Sequence, residues 1–388
     1  MNPSTNSRSV CRPMPVSVDV NSHGSMTPDL NLGPGSEQES FLAGADDLIL
    51  ITGANGFIGL RLVENLLRRG FRNLRCFVRR PSQRVPLEDL VANGAFGSAQ
   101  LEVVTGNLLS PEDCVTATKD VTVLFHLAAG RGEKSFPDAF MNSVVTTRNL
   151  LEACLLHKSL RRFVNVSSFT VYANGKKSGD VLDESCPVEV HSDLRGEAYC
   201  FGKVKQDELL QEYGEKFGLP YVIVRPGYVF GPGKTAISGR VGIDTFGVFL
   251  HMGGSNPIPL TYVDNCADAI ALAGLKQGID GEIFNVVDDE LPSSRKFLRQ
   301  YKKNVKKFKS VYVPHAVSLG LCYLWEKYSS WSSDQLPPVF NRKRWHANWQ
   351  KTRYSNTKLK ARTGWAPRVT MAEGLGRYFE GCRRAEHD

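Results

Sequence analysis

The chain has 388 residues, of which 41% are hydrophobic and 23% charged, and a net charge of +8. Those figures are ordinary for a soluble globular protein and predict one large domain, or one with a smaller appendage. Nine cysteines with no C-x-x-C pair and eight histidines with no H-x-x-x-H argue against a disulfide framework or a metal centre, and read as a reduced, cytoplasmic chain.

Residues 1 to 45 are rich in Ser, Asn, Pro and Gly and lack an apolar signal core, so they read as a disordered leader rather than a secretory signal. An organellar transit peptide is a weaker alternative, because Arg8 and Arg12 precede any acid but Asp19 and Asp29 soon follow. Order is expected from "DDLILITGANGFIGLRLVENLLRRG", residues 46 to 70. Residues 48 to 51 form a continuous apolar run, the pattern of a strand buried on both faces of a parallel sheet. Ile58, Leu62, Val63, Leu66 and Leu67 then recur at helical spacing.

Between strand and helix lies Gly53-x-x-Gly56-x-x-Gly59. A tight turn, close backbone approach to a pyrophosphate and close helix-to-strand packing each need a glycine, and the phosphates rest on the helix N-terminus. The next strand, residues 74 to 78, ends at Arg79 and Arg80, and no carboxylate occurs between Glu64 and Glu88. In a Rossmann unit an acid in this place grips the adenosine ribose, whereas arginine accommodates a 2′-phosphate, so the cofactor tilts from NAD toward NADP.

Alternation of strand and helix continues. "LEVVTGNLL", "VTVLFHLAAG", "RRFVNVSSFTVYA" and "PYVIVRPGYVFGPG" read as strands, and "FMNSVVTTRNLLEACLLH" and "GKVKQDELLQEYGEKFG" as helices. The predicted fold is α/β: a Rossmann doubly wound parallel sheet over residues 46 to 235, then a smaller substrate-binding subdomain over residues 236 to 388, with segments near 260 to 290 returning to the Rossmann core. Within that subdomain residues 295 to 309, "RKFLRQYKKNVKKFK", are strongly basic. They read as a solvated helix face, with nucleic acid disfavoured because the run has few interleaved aromatics (Phe297, Tyr301, Phe308).

In chain order, "TGANGFIG", "GNLL", "HLAA", "NVSSFTVYA", "YCFGK", "RPGYVFGPG", "LTYVDNCADAI", "GEIFNVVDD" and "TKLKARTGWAPRVTMAEGL" resemble the extended short-chain dehydrogenase/reductases, also called the NAD-dependent epimerase/dehydratase family. The resemblance spans nearly everything from residue 47 to 380. It implies an NAD(P)-dependent enzyme that moves a hydride between an alcohol or ketone carbon and a nicotinamide.

Four tyrosines precede a lysine by four residues: Tyr172 and Lys176, Tyr199 and Lys203, Tyr323 and Lys327, Tyr354 and Lys358. The first spans Asn-Gly and the last is turn-like, while Tyr323 lies far from the cofactor half. Only Tyr199 and Lys203 open a long helix downstream of a serine-bearing strand. A tyrosine with a pKa near ~10 needs a nearby ammonium to act as a base at neutral pH, and Lys203 would supply it while binding the nicotinamide ribose. The resemblance makes Ser168, four residues before Tyr172, the serine that orients the substrate oxygen, and leaves Ser167 as a strand residue near the cofactor.

The same resemblance implies that Asn142 supports the active site. Asn55, Phe57 and Ile58 of the glycine turn, with Leu127, Ala128 and Ala129, would run along the cofactor. Asn107 and Leu108 would lie at the adenine, Asn107 standing where the family more often has Asp. Pro226 and Val229 would border the nicotinamide carboxamide. Sugar dehydratases of the family resemble one another in an Asp-Glu pair after the catalytic threonine. Phe169 and Thr170 stand there, which disfavours dehydration.

For the substrate, residues 253 to 270 and 313 to 342 resemble the 3β-hydroxysteroid dehydrogenase and dihydroflavonol reductase branch. Residues 316 to 325 are apolar almost all round a helix, read first as a buried core helix and otherwise as a pocket lining or a peripheral membrane contact. The basic run could instead bind the diphosphate of a nucleotide sugar, which keeps a nucleotide-sugar epimerase or reductase open, with a slight lean to a less polar alcohol or ketone. A non-catalytic cofactor-binding scaffold is the alternative of another class. A homodimer through two long helices beside the sheet is a further implication of the family.

Overall fold

The computed structural model describes residues 41–92, 96, 99–130, 135–173, 179–245, 247–332 and 341–387. The leader, apart from residues 41 to 45, lies outside them, as does Lys176.

The first half alternates as its hydrophobic pattern requires. It runs through β1 (Ile49–Thr52), α1 (Phe57–Arg68), β2 (Asn73–Val78), α2 (Val85–Ala92), β3 (Gln100–Thr105), α3 (Pro111–Thr118), β4 (Val123–His126) and α4 (Phe136–Ala139). A wide π turn over Phe140–Val145 leads into α5 (Thr146–His157), β5 (Arg162–Val166), the short β6 (Val181–Leu182), α6 (Ala198–Phe217), β7 (Tyr221–Pro226) and β8 (Tyr228–Phe230). The rest comprises β9 (Gly242–Thr245), β10 (Val248–His251), β11 (Leu260–Tyr262), α7 (Val263–Leu275), β12 (Ile283–Val286), α8 (Ser294–Asn304), β13 (Ser310–Tyr312), α9 (His315–Trp331), α10 (Arg342–Trp349), β14 (Arg353–Tyr354), α11 (Thr357–Thr363) and α12 (Met371–His387).

Seven parallel strands form the central sheet in the order β12-β7-β5-β4-β1-β2-β3. β1 is central and wholly buried, which is why its four residues carry no outward polar alternation. The strand order reverses at β1, between β2 and β4, and opens the crevice in which doubly wound sheets bind ligands. Residues of the returning segment supply the opposite edge strand, β12, and helix α7.

α1 buries Gly59, Leu62, Val63, Leu66 and Leu67 along one face against α7, each large side chain contributing about 1.5–3 kcal/mol of transfer energy. α7 is buried almost all round because it lies against both α1 and the sheet. Its small residues allow that fit: a Cβ on Gly274 would stand 2.3 Å from the Phe125 ring.

Two expected strands break where the site is built. The strand over residues 161 to 173 stops at Val166, and Phe169–Val171 form a 3-10 turn capped by Ser168. The one over residues 220 to 233 divides at Gly227, where a Cβ would stand 2.3 Å from the Pro259 carbonyl oxygen. Toward the C-terminus, β9, β10 and β13 make a small sheet, and Met252, Cys322, Trp345 and Trp349 make a second small core. Of the three aromatic residues of the basic run, Phe297 and Tyr301 are buried against Tyr378 and Phe379, and part-buried Phe308 packs on Tyr301, so they offer no row of stacking faces. α9 departs from the core-helix expectation, since Val317, Leu321, Tyr323 and Leu324 all point outward.

Candidate active site

The glycine turn has the geometry that its spacing implies. Gly53 sits at φ +69°, and a Cβ there would meet the Ala128 nitrogen at 2.9 Å. A Cβ on Gly59 would stand 2.2 Å from the Gly53 oxygen, so the helix can approach the strand only without one. Gly56 caps α1 in an extended conformation, with no side chain capping the helix and no acid in its first turn. The N–H groups at that end are left for an anionic ligand, and half-buried Asn55, Phe57 and Ile58 surround them. These residues fit a dinucleotide, whose pyrophosphate would lie on the turn.

Around the crevice, Leu127 and Ala128 donate backbone N–H groups to Thr52 O and Thr52 Oγ1, holding the loop with Ala129 beside the glycine turn. Arg79 and Arg80 follow the C-terminal end of β2, on the same sheet edge as the turn. Gln83 Oε1 accepts both of their backbone N–H groups, at 3.0 and 3.1 Å, and the two guanidinium groups are exposed. Asn107 uses its Oδ1 to accept from Leu109 N at 3.1 Å, while its own N–H is held by Asp113. That local turn leaves one lone pair of Oδ1 and the amide N–H₂ for an adenine edge. Leu108 beside it is buried.

Tyr199 lies in the first turn of α6 and is 39% exposed, whereas Lys203, one turn further on, is buried. Lys203 Nζ donates to the Val166 carbonyl oxygen at 2.7 Å, which ties the helix to the last residue of β5. Ser168 follows at the mouth of the site, with its Oγ accepting from Thr170 N. Ser167 turns inward and donates to Asp207 Oδ2 at 2.9 Å. Asp207 also accepts from Asn165 Nδ2 and from Arg225 Nε, both at 3.0 Å. Burial pushes the Asp207 carboxyl up, opposed by Arg225 and by the Ser167 donor. Two ties, Lys203 and Asp207, therefore fix α6 to the end of β5.

A second buried network lies behind the crevice. His126 Nδ1 meets Thr52 Oγ1 at 2.8 Å, and its Nε2 meets Thr147 Oγ1 at 3.0 Å. Gln206 Nε2 donates to Thr147 Oγ1 and to the Ser143 oxygen. Burial first, and then the positive Lys203, lower the His126 pKa to about 3, so the ring is neutral.

Asn142 lies on the π turn and donates to the Asp138 oxygen of the preceding turn, with its Oδ1 3.5 Å from Arg79 Nη2. Its neighbour Ser143 is the residue of that turn packed against α6, where a Cβ on Gly202 would stand 3.2 Å from Ser143 Oγ. Pro226 ends β7, and Val229 is buried in β8 beside β11. Of the other tyrosine-lysine pairs, Tyr323 with Lys327 lies on the exposed α9, and Lys358 pairs with Glu282. Tyr354 instead stacks on Phe169 at 5.6 Å, next to Ser168, where a dehydratase would need a carboxylate.

Ser168 opens on a cavity of about 200 Å³. Its wall includes Arg195, Glu197, Ser238, Arg240 and Asn348, none of which sequence reasoning singled out. Arg195 and Arg344 both pair with Glu197, at 2.9 and 3.1 Å, and Arg240 donates to Tyr354 Oη. These residues converge from separate segments, and no local pattern marks them.

A model of the NAD dependent epimerase/dehydratase family matches residues 49–286. The chain belongs to that family. Among curated members, the Arabidopsis thaliana trifunctional UDP-glucose 4,6-dehydratase/UDP-4-keto-6-deoxy-D-glucose 3,5-epimerase/UDP-4-keto-L-rhamnose-reductase is 28% identical over 266 residues, 61% of this chain. The match covers only 36% of that longer protein. The 3beta-hydroxysteroid-dehydrogenase/decarboxylase isoform 1 of the same plant is 25% identical over 85% of this chain and 78% of its own. D-erythronate dehydrogenase of Cupriavidus necator is 31% identical over 60% of this chain and 72% of its own. In fold, this epimerase/dehydratase family member is similar to the UDP-glucuronic acid 4-epimerase of Bacillus cereus solved in complex with NAD, with a TM-score of 0.65 and 21% identity over 87% of this chain and 99% of that one.

Proposed function

We propose that the protein is an NAD(P)-dependent oxidoreductase that interconverts a secondary alcohol and a ketone on a polar, hydroxylated substrate. The carrying observation is the Ser168 cavity, whose wall bears Arg195, Glu197 and Arg240 rather than a continuous apolar surface. Arg195 is already buried and paired, but covering the part-exposed Glu197 and Arg240 with an apolar ligand would cost their hydration, whereas hydroxyl or carboxylate groups on a substrate would replace it. D-erythronate dehydrogenase, named for a polyhydroxy acid, supports the same reading. It reverses the lean toward a less polar alcohol, which the 3beta-hydroxysteroid relative still favours as a second reading.

In this mechanism Ser168 holds the substrate oxygen, and Tyr199 gives or takes its proton while Lys203 stabilises the phenolate. A nicotinamide cofactor held by the glycine turn and Lys203 would supply or accept the hydride. Arg79 and Arg80, exposed at the end of β2, favour the 2′-phosphate of NADP. A cytoplasmic homodimer through α5 and α6 completes the proposal, supported by exposed Leu156 and Phe217 on those helices.

The test follows reduced-nicotinamide absorbance with NAD and NADP against hydroxy acids, free sugars, nucleotide sugars and hydroxysteroids. Turnover of polyhydroxy acids or sugars with NADP, reduced about 10²–10⁴-fold by Tyr199→Phe, is expected. Turnover confined to steroids would refute the substrate class. An unchanged rate in Tyr199→Phe would refute catalysis by this tyrosine and favour the scaffold alternative.

A further inference from the structure

Helix α9 has its amphipathic faces reversed. The positions it turns toward the protein carry Ser318, Cys322 and Ser329, all buried, and Ser318 Oγ accepts a hydrogen bond from Trp345 Nε1 at 2.8 Å. Its outward positions carry Val317, Leu321, Leu324, Tyr328 and Trp331, which are between 48% and 79% exposed. Their spacings of four, three, four and three residues place all five on one helix face. A contiguous row of large apolar side chains in water marks an interaction surface.

The charge around that row identifies what it meets. Between Glu290 and Glu326 the sequence has eight Lys and Arg residues and no Asp or Glu. α8 turns Phe297, Leu298 and Tyr301 inward, which leaves Arg295, Lys296, Arg299 and Lys303 outside. The Arg295 guanidinium lies 5.4 Å from the Tyr312 ring, itself exposed three residues before α9 begins, so the basic face runs up to the apolar row. Beside the row, Lys327 and Arg342 stand 5.8 and 5.1 Å from the Tyr323 ring, Arg342 being offset by its pairing with Glu326 at 2.8 Å, so the uncompensated charge comes from α8 and Lys327.

We propose that α9 and this basic face dock on an anionic membrane surface, with the helix in the plane of the headgroups and its apolar row turned toward the acyl chains. Tyrosine and tryptophan are suited to that boundary, and lysine and arginine to the phosphate layer above it. A second copy of the chain is the poorer occupant, because it would bring the same exposed cations of α8 against one another. The contact is peripheral: among the described residues, no helix is long and apolar enough to cross a membrane. It is independent of the substrate reading.

The experiment is co-sedimentation of the full chain with phosphatidylcholine vesicles, alone or with about a third phosphatidylserine. Binding is expected to the anionic vesicles, to weaken at least about tenfold in about 0.5 M salt, and to weaken at least about tenfold in Leu321→Glu/Leu324→Glu. Both positions are exposed, so the thermal unfolding of that variant should match the parent. No preference for anionic over neutral vesicles, or equal binding by the variant, would overturn the proposal. So would a dimer in sedimentation that the variant dissociates, which would assign the face to a second copy.

Discussion

Replacing Asp207 with asparagine tests whether α6 is held by a buried charge. The Arg225 and Asp207 side chains are each only 2% exposed, and the carboxylate also receives Ser167 and Asn165. Asp207→Asn keeps the shape but strands the guanidinium without a counter-charge, and an amide N–H₂ must then face a donor. Breaking a buried pair from one side costs about 3–5 kcal/mol. With an unfolding entropy of about 2.1 cal/mol/K per residue, a chain of this length should lose about 4–6 °C in Tm.

The assay is thermal unfolding followed by circular dichroism, with kcat at 25 °C beside it. Because Asp207 fixes the position of Ser167, next to Ser168, kcat should fall more than cofactor affinity. The double variant Asp207→Asn/Arg225→Met removes the stranded charge and should recover at least half of the lost stability. A shift below about 1 °C for Asp207→Asn, or a double variant as unstable as the sum of its parts, would refute the reasoning.

Two more predictions concern the crevice. With the His126 pKa lowered to about 3 against about 6.5 in the unfolded chain, the unfolded state alone takes up a proton as pH falls from 6.5. Stability therefore declines toward acid, by up to about 1.4 kcal/mol per pH unit, and His126→Gln should flatten that slope between pH 6.5 and 5; equal slopes would exclude His126 as its source. Gly59→Ala places a Cβ 2.2 Å from a backbone oxygen, which has no free rotamer to retreat into. It should cost about 2 kcal/mol or more and weaken reduced-cofactor binding at least about tenfold, measured by fluorescence titration; unchanged binding would contradict the packing role.

The glycine turn was legible because its three glycines answer local constraints, a positive φ at Gly53 and a strand in contact at Gly59. Tyr199 and Lys203 were legible because four residues make one helical turn, and their relation to Ser168 rested on family order. Asp207 carried no comparable signal: its partners Asn165, Ser167 and Arg225 lie 18 to 42 residues away and meet it only across strand and helix. The same holds for Arg195, Arg240 and Asn348 around the cavity. The misreading of α9 has a different cause. Apolar content shows that a side chain avoids water, but not whether the chain itself supplies the cover.

The stacking of Tyr354 on Phe169 has a consequence for how the protein matures. The glycine turn and its neighbouring strands lie within residues 49 to 126, and a nascent chain can shape them before the rest of the site is made. Phe169 has the Tyr172 ring beside it at 6.0 Å, but meets Tyr354 only after residue 354 has been synthesised and β14 has paired with β6. The glycine turn is thus shaped earlier in synthesis than the wall beside Ser168.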